Sequence, residues 1–205
     1  AYSLALLVSG VAAPFVCRWL DRRGPRALMT AGSLLGAALV LAWSRVDGLA
    51  AFYLIWAGIG LAMAATLYEP AFATLTSWFR RDRPRAFLLL TVAAGFASTI
   101  FLPLANRLVD RFGWRGALVA LAALLAVLTV PTHALVLRRR PEDLGLEPDG
   151  DPPTDPALPG APPAPHHDGV PLAAALRDPA LWWMTAAFFA GAISTVAVGV
   201  ALVPF

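Results

Sequence analysis

Six stretches of this chain are apolar over lengths close to or beyond those that cross a bilayer: residues 1–17, 27–44, 49–79, 86–109, 116–137 and 180–205. A hydrocarbon core about 30 Å thick needs about 20 apolar residues in a helix. Of the 205 residues, 59% are hydrophobic and only 14% are charged, and mean hydropathy is +0.67. A soluble domain carries about a quarter charged residues, so lipid is the expected solvent for so much apolar surface. The runs are rich in Ala, Leu and Val without the strict alternation of barrel strands, which selects helices. The expected fold class is therefore all-α, a polytopic transmembrane helix bundle.

All sixteen basic residues are Arg, and the net charge is +3. They cluster in short knots between apolar runs, a placement that reflects membrane topology rather than a nucleic-acid-binding face. The partner expected from it is the lipid bilayer, with no nucleic acid. The first, third and fifth connections hold twelve Arg, and the second and fourth hold four. By the positive-inside rule, residues 18–26, 80–85 and 138–179 are expected in the cytoplasm and the chain in the cell's inner (plasma) membrane. Arg107, Arg111 and Arg115 are many for an outer connection, with Asp110 offsetting part of their charge.

This parity places the start of the first run outside. A further span is therefore expected before residue 1, making residues 1–17 the second transmembrane helix of a longer protein. The domains expected are an N-terminal transmembrane bundle over 1–138 (helices two to six), a cytoplasmic linker with a short interfacial helix over 139–179, and the truncated first helix of a C-terminal bundle over 180–205. The remainder of that second bundle is the expected partner within the same protein. Residues 139–172 hold ten of the eighteen Pro and seven of the thirteen acidic residues, the composition of an extended or disordered linker. His166 and His167 lie there without further ligands, and Cys17 is the lone cysteine. No metal, cofactor or disulfide is expected. No span carries a His/Glu cluster or a Ser/His pairing, so no enzyme is expected either.

The stretch WLDRRGPRALM (19–29) carries the most specific pattern. Gly24 allows a tight turn between two helices, and Pro25 suits the first turn of the second. Its Asp21, Arg22, Gly24 and Arg26 resemble the Gly-x-x-x-Asp-Arg-x-Gly-Arg-Arg signature between helices two and three of the major facilitator superfamily. Cys17 stands in place of the first Gly and Pro25 in place of an Arg. The resemblance implies the two-bundle fold of that family, with the motif as a gating latch between bundles, and secondary active transport of a small solute by alternating access. GFASTIFLPLANRLVDRFGWR (95–115) and RRRPEDLGLEPDG (138–150) are similar to bacterial monocarboxylate-porter-like and oxalate/formate-antiporter-like members, which implies organic anions among the candidate solutes. A non-transporting membrane sensor or scaffold of the same fold is the alternative.

Among the acidic residues, only Glu69 sits well inside an apolar run, about ten residues before Arg80, or roughly 16 Å at 1.5 Å per residue. Gly58, Ala62, Ala65, Thr66, Glu69, Ala73 and Thr76 follow helical steps of three and four, so they share one face. That face is expected to look into the bundle, because an ionisable group facing lipid is costly. Desolvation disfavours the carboxylate, so Glu69 is a candidate proton-coupling or substrate-cavity residue. A buried Glu tied to Tyr68 or to another helix is the competing reading. Pro70 weakens the local helix ladder and favours a bend. Tyr68, Thr66, Ser98 and Asn106 are the further cavity candidates, with Thr99, Ser194 and Thr195 as weaker ones. His133, close to Arg138, is expected at the interface. Gly32 and Gly36 form a small-xxx-small pair for close helix contact.

Overall fold

The computed structural model describes residues 1–151 and 172–202, and all regular structure among them is helical. The chain divides into two compact units, Ala1–Asp155 and Pro156–Phe205. In the first, α1 (Tyr2–Arg23) and α2 (Pro25–Trp43) are separated by Gly24. Next come α3 (Leu49–Thr66), α4 (Tyr68–Trp78) and the 53-residue α5 (Arg83–Leu135). Counting α3 and α4 as one span, four helical segments among the described residues are long and apolar enough to cross a membrane.

The apolar runs of the sequence thus reappear as helices, with two corrections to their boundaries. The run 49–79 is not one helix. It breaks at Leu67 (φ −86°, ψ −145°), three residues before Pro70. Pro70 has no N–H for the Thr66 carbonyl, and its ring would collide with that carbonyl in a continuous helix. Placed instead in the first turn of α4, it needs no donor, and it is fully buried there. The second correction is at 110–115, where no loop separates the fifth and sixth expected spans. Helix α5 runs through and is interrupted only at Gly113, with φ 70° and ψ 170°.

Gly24 has almost the same backbone, φ 77° and ψ 174°. This region is essentially closed to residues with a β-carbon. Both turns sit in the same pattern, Asp-Arg-x-Gly-x-Arg, at 21–26 and 110–115. Recurrence of one turn in each half of a bundle fits the nested three-helix repeats of two-bundle transporters.

The bundle packs on small residues. Its buried apolar side chains are mostly alanines (Ala5, Ala37, Ala62, Ala64, Ala65, Ala117 and Ala122), with Leu20 and Met29, while many Leu, Val and Phe side chains are exposed. Lipid is as apolar as leucine, so close van der Waals fit rather than burial of bulk holds such helices together. Gly60 brings α3 against the Ala5 backbone of α1, and a β-carbon there would lie 2.9 Å from the Ala5 Cα. Gly32 of α2 meets Ala65 and Thr66 in the same way, at 2.7 Å. Its expected partner in the pair, Gly36, makes only ordinary 3.6 Å contacts with Ala62 and Leu125.

In the second unit, α6 (Leu172–Ala175) precedes α7 (Pro179–Leu202). The Asp178 carboxylate accepts from the Ala180 N–H at 2.9 Å, and the Trp182 indole donates to the Leu176 carbonyl at 3.0 Å. The extended or disordered linker expected over 139–172 is corrected at its start, where Pro141–Leu144 and Pro148–Gly150 form 3₁₀ turns, while residues 152–171, with His166 and His167, lie outside the described residues.

Candidate functional site

The loop motif is built on the Gly24 turn. Arg22 and Arg23 end α1, Pro25 opens α2, and Gly24 and Pro25 are buried while Asp21, Arg22 and Arg26 are exposed. Arg23 stacks on Trp19, 4.5 Å from its ring centre, and the Arg26 carbonyl accepts from the Thr30 hydroxyl at 2.6 Å. Asp21 takes part through its backbone, its carbonyl accepting from the Arg139 guanidinium at 3.2 Å. Its carboxylate makes no ion pair or hydrogen bond among the described residues.

A second carboxylate holds the 80–82 turn. Asp149 accepts from the backbone N–H of Arg81 at 2.9 Å and of Arg80 and Asp82 at 3.1 Å each. The Arg81 N–H, with those of Asp82 and Arg80 and the Arg81 charge, holds the Asp149 carboxyl below the usual carboxylate range. Arg81 also pairs with Asp151 at 3.5 Å. Residues 18–26, 80–85 and 138–151 therefore share one end of the bundle, the grouping expected from their Arg content. At another turn, the Arg115 guanidinium donates to the carbonyls of Ser44 and Val46 and to the Asp47 carboxylate. This caps the C-terminus of α2 and accounts for an Arg that topology alone made surplus.

Glu69 lies in the first turn of α4, just past the break. It was expected inside the bundle but is exposed, because the break at Leu67 takes it off the face that carries the buried Ala62 and Ala65. Its carboxylate has no hydrogen bond or ion pair among the described residues. Tyr68 beside it is half exposed and stacks on Phe72 with ring centres 5.7 Å apart.

Thr66 lies on the other side of the break and lines a cavity of about 340 Å³ between α2, α3 and the later part of α5. Its hydroxyl is spent on the Ala62 carbonyl at 2.7 Å. Ser33 and His133 line the same cavity, joined at 2.8 Å between Oγ and Nδ1, with the Met29 carbonyl 3.3 Å from the same nitrogen. His133, in the last turn of α5, is half-buried against α2, and a Ser/His pair forms across two helices 100 positions apart. Ser98, Thr99 and Asn106 are exposed on the first part of α5. No hydrogen bond joins Ser98 or Asn106 to Glu69 among the described residues. Ser194 is exposed on α7, and the side chain of Thr195 lies outside the described residues.

Sequence reasoning missed Ser33, Gly113, Asp149 and the caps made by Arg115 and Arg139. Only Gly113 left a readable signal, the repeated Asp-Arg-x-Gly-x-Arg. Among the described residues, no group of three or more His, Cys, Asp or Glu is placed to hold a metal.

A sequence profile of the Major Facilitator Superfamily matches residues 1–205. The chain belongs to the major facilitator superfamily. Human monocarboxylate transporter 11 is similar to it, 34% identical over 77% of this chain and 32% of that protein. An MFS-type transporter of Gibberella moniliformis is 29% identical over 70% of the chain and 35% of that protein. Mouse monocarboxylate transporter 3 is 33% identical over 52% of the chain and 22% of that protein. The chain thus spans about a third of the length of the first two curated relatives. No solved structure matches it. As a superfamily member it is a multi-pass membrane protein, and its apolar helices accord with that.

Proposed function

We propose that this major facilitator chain forms part of a secondary active transporter for a small organic anion, monocarboxylates foremost, working by alternating access. In this reading the 18–26, 80–85 and 138–179 segments face the cytoplasm across the cell's inner membrane, and the bundle rocks against a second one around a site inside the membrane. The observation that carries the reading is the broken span, with Glu69 in the first turn of the half-helix that follows the break. Discontinuous helices whose termini point at a mid-membrane site are a recurring device for binding charged solutes. A carboxylate near that terminus, with no hydrogen bond or ion pair among the described residues, is the candidate proton carrier. Neutralised by H⁺, it no longer repels an anionic solute and crosses an apolar environment at less cost.

Reconstituting the full-length protein in proteoliposomes, with labelled lactate as the probe, tests this. An inward proton gradient is expected to stimulate uptake by the wild type, and Glu69→Gln is expected to abolish that stimulation. Unchanged gradient-driven uptake by a well-expressed Glu69→Gln protein would remove Glu69 from the coupling role. No uptake of any monocarboxylate by the wild type would turn the reading toward a sensor or scaffold of the same fold.

A further inference from the structure

Residues 139–151 are fixed at both ends to different turns of the bundle. At one end, Arg139 lies across Gly24 and donates to the Asp21 carbonyl. At the other, Asp149 takes the three successive N–H groups of residues 80–82, and Asp151 pairs with Arg81. No hydrogen bond or ion pair joins residues 18–26 directly to residues 80–85 among the described residues.

What lies between the two anchors is short and stiff. Pro141–Leu144 forms a 3₁₀ turn on a fully buried Pro141, and the Asp143 carboxylate accepts from the Arg140 N–H at 3.2 Å. The Leu146 N–H returns to the Pro141 carbonyl at 3.2 Å, and the Glu147 N–H to the Asp151 carbonyl at 2.9 Å. Asp149 itself is held at φ 67°, a left-handed conformation that residues with side chains rarely adopt. Such a conformation persists where surrounding contacts over-determine it, and here those contacts are the three N–H groups. A slack tether would leave each anchor to move alone. A hydrogen-bonded segment this short transmits displacement.

We infer that residues 139–151 are a strap coupling the Gly24 turn to the 80–82 turn, with Asp149 as the positioning residue that seats its far end. The ends of α1, α2, α4 and α5 that meet these turns then tilt as one body. In a transporter that rocks rigid bundles, the strap governs the rate of the conformational change and not the affinity for solute. That consequence rests on the transport reading above, whereas the coupling of the two turns does not.

Amide hydrogen exchange on the full-length protein in detergent tests the coupling, because linkage between two sites is reciprocal. Asp149→Asn is expected to speed exchange at 80–82 about tenfold and also to speed it measurably at 21–26, on the order of threefold. Arg139→Ala is expected to act in the opposite direction, speeding exchange at 21–26 and, more weakly, at 80–82. Each variant affecting only the turn it touches would overturn the strap. Should Asp149→Asn fail to fold, Asp151→Asn, which removes only the pair with Arg81, replaces it. It is expected to speed exchange at 80–82 and, more weakly, at 21–26, and no change at 21–26 would equally overturn the proposal. In labelled-lactate uptake, Asp149→Asn is expected to lower the maximal rate severalfold with an unchanged KM. A raised KM at unchanged rate would remove the positioning role. Inactive wild-type protein with coupled exchange would count against the transport reading alone.

Discussion

Arg139 occupies the space that a side chain on Gly24 would need: a β-carbon built at residue 24 falls 2.8 Å from the Arg139 Cβ and 2.6 Å from its Cγ. The backbone there, φ 77° and ψ 174°, is itself nearly exclusive to glycine. Gly24→Ala is therefore expected to carry two penalties, together about 2–4 kcal/mol. Adding Arg139→Gly, which removes both the Cβ and the Cγ, relieves most of the steric part and none of the backbone part. A double-mutant cycle on unfolding midpoints should give a coupling well above the error of the single variants, and strict additivity would show that Arg139 does not press on the turn.

Gly113 isolates the backbone penalty. Its angles, φ 70° and ψ 170°, match those of Gly24, yet nothing lies within 4 Å of a β-carbon placed on it. Gly113→Ala should cost about 1–3 kcal/mol from strain alone, less than Gly24→Ala and independent of any second substitution. Equal losses at the two positions would mean that the Arg139 contact adds nothing.

Close approach between helices predicts a different contrast. A β-carbon on Gly60 would lie 2.9 Å from the Cα and 3.0 Å from the carbonyl carbon of Ala5, and backbone atoms cannot swing aside. Gly60→Ala is expected to force α1 and α3 apart at a cost of about 1–3 kcal/mol. Gly36→Ala meets ordinary 3.6 Å contacts and is expected to be neutral or slightly stabilising. Thermal unfolding of the two variants side by side checks this, and equal midpoints would contradict it.

These glycines also show what could be read in advance. Apolar run length located the helices, and Arg counts grouped the loops by side, because both are set by the bilayer and need no partner information. The tight turn at Gly24 was legible because Gly-Pro names its own geometry. The break at Leu67 was displaced from Pro70 because a proline acts on the carbonyl four residues earlier. Exposure of Glu69 followed from that displacement, which no face drawn on an uninterrupted helix anticipates. The Asp149 seat and the Ser33–His133 pair were invisible for another reason. Each joins residues more than sixty positions apart, and a single sequence carries no local signal for which loop folds onto which.

The Asp149 seat should show its own dependence on pH. Contacts with the 80–82 backbone hold the Asp149 carboxyl below its ordinary value of 3.8, so the seated state binds protons less readily than the released one. Stability from such a group is complete above the ordinary value and disappears as pH falls through the lower, seated value. Exchange at 80–82, corrected for its intrinsic pH dependence, should therefore stay flat between about pH 5 and 8 and rise only in strong acid. Over the same range Asp149→Asn should lie above the wild type by a constant factor. Asp149→Asn should likewise scale the whole pH profile of uptake without moving its midpoint. A midpoint shifted by Asp149→Asn would mean that the strap reaches the proton-carrying group, and the separation of rate from coupling would have to be abandoned.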